Sequence, residues 1–201
     1  TSIGAELSIG FTVTGLLDQT AVGQDGAGAS DAIVLTKPIG SGTILAGEMR
    51  GLARGVDVET ALRSMARSQA RASALLAPHT TAMTDVTGFG LAGHLMAMLE
   101  TSNCAAALSL QEIPGYPGAW DLSRQGVRST LWPANAAIDK RMAHTPSAFS
   151  DLLFDPQTAG GLLATIPASA VDEVVASFRE AGEPIAVIGA VVDGVPLITV
   201  L

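Results

Sequence analysis

Apolar positions along the chain follow two spacings, and the switches between them mark out the elements. Ala32 to Thr36, Ala82 to Asp85 and Leu162 to Ile166 are short apolar runs bounded by turn residues, so each reads as a strand. Leu7 to Leu17 reads as an earlier strand, separated from Ala32 by the turn-rich segment Gln24-Asp25-Gly26-Ala27-Gly28-Ala29-Ser30. Elsewhere the spacing is helical. Val58, Leu62, Met65, Gln69, Ala72 and Leu76 predict one long helix over Val58 to Leu76 with Asp57 as its N-cap. Leu91, Leu95, Met98 and Leu99 predict a second. Val171, Val174, Val175 and Phe178 predict a third, opened by Ser169 with Asp172 three residues later and closed at Gly182. Ile185 to Val192 and Leu197 to Leu201 are strands, and Asp193-Gly194 between them predicts a hairpin. Pro114, Pro117, Pro133 and Pro146 break Gln111 to Ser150 into short pieces, of which Asn135 to Met142 is one helical candidate. Strands and helices that alternate without a regular βαβ series predict an α+β fold, a mixed β-sheet flanked by helices.

The densest chemistry lies in Thr84-Asp85-Val86-Thr87-Gly88-Phe89-Gly90-Leu91-Ala92-Gly93-His94, where a carboxylate precedes a glycine-punctuated turn into a helix. Amides at a helix N-terminus attract phosphate oxygens, and glycines let the backbone approach them without a Cβ in the way. A hard cation such as Mg²⁺ takes one or two carboxylates together with phosphate oxygens and water, which makes Asp85 a candidate ligand. The competing reading is ordinary: an Asp just before a helix is commonly its N-cap.

Composition narrows the setting. A length of 201 residues suits a single domain over residues 1–201, and 48% hydrophobic with only 4% aromatic residues means a core of Ala, Val, Leu and Ile. The longest apolar run, Ile185 to Val192, falls far short of the ~20 residues that span a bilayer, so no membrane segment is expected, and the start of the chain lacks a secretory signal. The surplus of apolar residues instead predicts a surface covered by a partner. A net charge of -8 opposes nucleic acid and anionic membranes, so any nucleotide must be held by local devices. The single cysteine, Cys104, excludes an intrachain disulfide, fits a cytoplasmic protein, and reads as a buried thiol in an apolar strand-like segment.

The eleven-residue string resembles the corresponding segment of selenophosphate synthetases, also called selenide, water dikinases. Two further strings agree with it. Leu152-Leu153-Phe154-Asp155-Pro156-Gln157-Thr158-Ala159-Gly160-Gly161-Leu162-Leu163 is similar to a segment near the end of that family's C-terminal domain, differing chiefly at Ala159, where serine is common. Leu35-Thr36-Lys37-Pro38-Ile39-Gly40-Ser41-Gly42 is similar to the strand and loop that follow the domain's first strands. The resemblance implies a three-layer arrangement like that of the C-terminal domain of aminoimidazole ribonucleotide synthetases. It also implies an activity that uses ATP, selenide and water to make selenophosphate, AMP and orthophosphate, in a homodimeric full-length protein. In that reading Asp85 holds Mg²⁺, while Thr1, Thr87, Gly88, Phe89 and Gly90 contact the nucleotide; Thr1 is assigned because family members enter this domain through Gly-Gly-His-Thr. Nothing in the chain matches the family's N-terminal domain, with its catalytic cysteine or selenocysteine, its lysine and further aspartates. The chain alone is therefore expected to be inactive and to contribute no catalytic residue. The alternative is a non-catalytic nucleotide-sensing or assembly module fused to another enzyme.

Several polar residues carry two readings. Arg63, Arg67 and Arg71 form a basic ladder that reads first as a solvated face, with Glu59 pairing Arg63. Lys37 either reaches a phosphate or ends a strand. His94 contacts nucleotide or partner, or makes a structural hydrogen bond to a loop carbonyl, while His79 and His144 have no ligand-like spacing. Asp155 reads as the centre of a turn that binds local amides, and Trp132 as a packing anchor rather than the wall of a purine pocket.

Overall fold

The computed structural model describes residues 10–12, 14–16 and 21–201. Thr1 and parts of the strand expected over Leu7 to Leu17 lie outside them, and the described residues 10–12 and 14–16 are in no strand. A seven-stranded mixed sheet is the centre of the fold. Its strands are β1 (Ala32–Leu35), β2 (Ala82–Asp85), β3 (Ala105–Leu108), β4 (Met142–Ala143), β5 (Leu162–Ile166), β6 (Ala186–Val192) and β7 (Ile198–Val200), in the order β2-β5-β1-β6-β3-β7-β4. All neighbours are antiparallel except β3 with β7 and β7 with β4, which are parallel.

Alternation along the central strands sends side chains to two separate cores. Ala32 and Val34 of β1, with Ala164 and Ile166 of β5, pack beneath α3 (Ala70–Leu76) and α7 (Val171–Ala181) through Ala72, Leu76, Val174 and Phe178. Ile33, Leu35 and Leu163 face the larger core, where α4 (Gly90–Ser102) buries Leu91, Leu95, Met98 and Leu99 completely. The helices α1 (Ser41–Met49), α2 (Gly55–Ala66), α5 (Ala119–Arg124) and the short α6 (Trp132–Asn135) pack on that same side. This is the expected three-layer, α+β arrangement.

Four expectations are corrected. The long helix over Val58 to Leu76 is two helices, α2 and α3, because Arg67 is extended (ψ 124°) and Ser68 Oγ takes the Ala70 amide. Both Arg67 and Gln69 are engaged elsewhere: Lys37 Nζ donates to the Arg67 carbonyl, and Gln69 bridges the Thr36 hydroxyl and the Gly160 carbonyl. Asp57 is not the cap of α2. It lies buried in the first turn, where Arg54, the capping residue, grips both its oxygens at 2.8 and 2.9 Å. The third correction is topological. β6 and β7 do not form a hairpin, because β3 lies between them and pairs with both. The dipeptide Asp193-Gly194 turns the chain, with Gly194 at φ 145°, but the connection steps over a strand. Ser169 likewise does not cap α7; it sits in a short 3-10 turn, Ala168–Ala170, just before it.

Candidate functional site

β2 ends at Asp85, and the chain turns through residues 86–89 into α4. Asp85 pairs with Leu162 in the sheet, its side chain is exposed, and its carboxylate has no hydrogen-bond partner among the described residues. It does not cap α4: Phe89 occupies the capping position and no side chain caps there. The ordinary explanation for this aspartate therefore has no support in the geometry.

The intervening loop is fixed atom by atom. The Val86 amide donates to the Gly161 carbonyl at 2.8 Å, and the Thr87 carbonyl accepts from Gln157 N at 2.9 Å and Gly90 N at 3.1 Å. The Gly88 carbonyl accepts from Asn135 Nδ2 at 2.8 Å. The Thr87 amide donates to His94 Nε2 at 3.0 Å, so that amide is not available to a phosphate. Gly88 and Phe89 N–H remain, with no acceptor among the described residues.

The two glycines of the turn differ in what surrounds them. A Cβ on Gly88 would meet nothing within 4 Å, which leaves its backbone open to a ligand. Gly90 has φ 72°, and a Cβ there would lie 2.8 to 3.0 Å from the backbone of Leu153, Phe154 and Asp155. Its glycine is thus required for the close approach of the chain's own second string. Phe89 projects outward, 69% exposed, beside a shallow cavity of about 180 Å³ lined by Gly93, Ala134, Asn135 and Ile138.

All three strings meet here. Gln157 Oε1 accepts from the Gly40 and Ser41 amides and the Ser41 hydroxyl at 3.0 to 3.1 Å, and Thr158 N donates back to Ser41 Oγ. Asp155, fully buried, accepts from the Thr43 hydroxyl at 2.8 Å, from Gln157 and from the Gly42 and Thr43 amides. The N-terminus of α1 is therefore filled by side chains of the second string, and the expected turn in which Asp155 binds local amides is corrected: its carboxylate serves groups of residues 42 and 43, distant in sequence. Burial pushes the Asp155 carboxyl up to about 6 despite those donors.

The remaining polar residues fall into structural roles. Lys37 is buried with Nζ on the Arg67 and Ala159 carbonyls at 3.0 and 3.1 Å, and burial followed by repulsion from Arg67 lowers its pKa. Trp132 anchors: its indole N–H donates to the Asp151 carbonyl and its ring meets Phe154 edge-on at 5.9 Å. Glu59 pairs Arg63, and Arg67 pairs Glu183. His144 pairs Asp139. Cys104 is buried, and burial raises its thiol pKa, which suits an inert side chain. His94 bonds an amide rather than a carbonyl, and burial lowers its pKa against the opposing pull of Asp85. Asn135 and Gln157 carry the loop, yet neither stands out in sequence. Asn135 follows a proline in the least patterned stretch, and Gln157 is overshadowed by Asp155 two residues before it.

An exposed carboxylate beside donors without acceptors can take a cation and an anion together. Among the described residues no group of three or more His, Cys, Asp or Glu is placed to hold a metal ion, so Asp85 fits a cation bound chiefly through phosphate, water and groups from elsewhere.

Comparison with known proteins bears on the fold and the family. Over 94% of its length the chain is 32% identical to the selenide, water dikinase of Pelobacter propionicus, and over 92% it is 33% identical to that of Bdellovibrio bacteriovorus. It covers 56% and 55% of those proteins, about half the length of the curated relatives it matches. Among solved structures, a thiamine-monophosphate kinase from Stenotrophomonas maltophilia superposes with a TM-score of 0.64 at 20% identity, covering 89% of this chain and 52% of that one. A hydrogenase maturation protein, HypE, superposes with a TM-score of 0.62 at 21% identity, covering 89% and 49%. These likenesses carry the fold, and the sequence relatives are those to which the three strings point. Residues 28–199 match the family described as AIR synthase related protein, C-terminal domain, and the chain belongs to that family.

Proposed function

We propose that this chain is the C-terminal half of a selenide, water dikinase, contributing part of the site at which ATP and Mg²⁺ are held while selenide and water are converted with ATP to selenophosphate, AMP and orthophosphate. The observation that carries the reading is the convergence of three sequence-distant strings on one loop whose unengaged groups are a carboxylate, Asp85, and the Gly88 and Phe89 amides. Mg²⁺, when bound, would neutralise phosphate charge, with Asp85 as this chain's ligand. Gly88 and Phe89 would donate to phosphate oxygens, and Thr87 and Gly90 would set the backbone that presents them. Phosphoryl transfer gains mainly from such positioning and charge neutralisation, so this half needs no nucleophile of its own. The remaining length found in the relatives is where this reading places the nucleophilic residues and the other metal ligands.

The test is Asp85→Asn in the full-length protein. Asn keeps size and shape but removes the charge that pairs with Mg²⁺, and selenophosphate formation at limiting Mg²⁺ is expected to fall at least about tenfold, ~1.4 kcal/mol, with the melting temperature unchanged. Wild-type activity of the variant under those conditions would remove the metal role.

A further inference from the structure

The loop that presents Gly88 and Phe89 is held on one side by a histidine whose chemistry is unusually constrained. His94 Nε2 lies 3.0 Å from the Thr87 amide nitrogen and 3.2 Å from Thr87 Oγ1. A backbone N–H can only donate, so Nε2 must carry the lone pair, and the neutral ring must carry its proton on Nδ1. The ring sits one turn into α4, the helix the loop feeds, with Phe89 tilted against it at 5.7 Å. Gly93 makes that contact feasible, since a Cβ there would lie 2.8 Å from Phe89 Cβ. The Thr87 carbonyl is tied to the Gln157 and Gly90 amides and the Gly88 carbonyl to Asn135, while the peptide that joins Val86 to Thr87 has His94 as its only side-chain restraint among the described residues.

We propose that His94 is a positioning residue for the nucleotide: by accepting the Thr87 N–H it turns that amide away from the site and leaves the Gly88 and Phe89 amides as the loop's donors to phosphate. The inference rests on the reading of Asp85 and this loop as the Mg-ATP site. It makes the identity of the side chain matter through one atom, an acceptor at the depth of Nε2. A glutamine oxygen reaches the same depth from the backbone, whereas phenylalanine has the ring without the acceptor.

The experiment compares His94→Phe, His94→Gln and Asp85→Asn in the full-length protein, measuring KM for Mg-ATP, KM for selenide and melting temperature. His94→Phe is expected to raise KM for Mg-ATP roughly tenfold, the scale of one lost hydrogen bond, with KM for selenide unchanged. His94→Gln is expected to stay within about twofold of wild type, because a neutral acceptor replaces a neutral acceptor. Equal Mg-ATP constants for wild type and His94→Phe, or a glutamine variant as impaired as the phenylalanine one, overturn the proposal. So does a rise in both KM values together, which marks general damage rather than nucleotide positioning. If His94→Phe does not fold, nitrogen-15 shifts of the wild-type imidazole decide: a protonated Nε2 overturns the proposal, and an unprotonated one together with the glutamine result supports it. Asp85→Asn separates the two layers of argument. Should Asp85→Asn abolish activity while His94→Phe is silent, only the role of His94 fails; should Asp85→Asn be silent, the site reading fails and this inference with it.

Discussion

Asp155 carries its charge, when it has one, wholly inside the protein. It is fully buried at the N-terminus of α1, and burial raises its pKa to about 6 although Thr43, Gln157 and the Gly42 amide all stabilise the ionised form. A carboxyl that holds its proton more tightly when folded than the 3.8 of a free one favours the fold at low pH. That contribution is complete below pH ~3.8 and is lost as the pH rises to about 6, a change of about 3 kcal/mol at most. The quantity to measure is the difference between wild type and Asp155→Asn in urea unfolding free energy from pH 4 to 7, which isolates this residue from the rest of the protein. The difference should vary with pH across that range; a constant offset would mean that Asp155 is ionised throughout and that its donors outweigh its burial.

The strand β2, the turn after it and the helix α4 form the element on which the site depends, and its two glycines separate folding from function. Gly90→Ala forces a left-handed residue with a Cβ into the backbone of residues 153–155, and should destabilise by about 2–4 kcal/mol in denaturant titrations. Gly88→Ala meets open space and should shift stability by no more than about 0.5 kcal/mol, yet raise KM for Mg-ATP in the full-length protein. Comparable destabilisation by both substitutions would show that the turn tolerates no side chain anywhere and would remove the distinction. This element was legible from sequence because its signals are local: Ala82 to Asp85 has strand character, and Leu91, Leu95, Met98 and Leu99 have helical spacing. What sequence could not supply was pairing at a distance. The α2–α3 break is set by Lys37 and Gln69 reaching elements on both sides, and helical periodicity runs through Arg67 without a sign of it. The apparent hairpin at Asp193-Gly194 fails because β3, nearly ninety residues earlier, takes the place beside β6. Asn135 was missed for the same reason, since its two partners, Gly88 and Phe154, lie far from it along the chain.

At the scale of the whole molecule, the proposed site is one carboxylate and two amides in a chain of net charge -8, and that cannot neutralise a triphosphate. Titration of Mg-ATP into the 201-residue chain by calorimetry should give no saturable binding tighter than about millimolar, ~4 kcal/mol, whereas micromolar binding, ~8 kcal/mol, would mean a complete pocket and favour a stand-alone nucleotide module. On the proposed reading, the exposed apolar side chains Phe89 (69%) and Leu131 (53%) would be covered by the partner half. The insertion of β3 between β6 and β7 also governs how the protein can be made. Antiparallel neighbours close together in sequence can pair as they emerge from the ribosome, but β3 waits for both of its neighbours, and β4 for β7, until residues 186–200 are synthesised. Until then residues 105–108 offer two unpaired backbone edges, a template for the wrong partner. The nascent chain thus carries an aggregation hazard late into translation: a ribosome stalled between residues 167 and 185 would leave β2, β5 and β1 as a three-stranded sheet open along β1, with β3 lacking both of its neighbours.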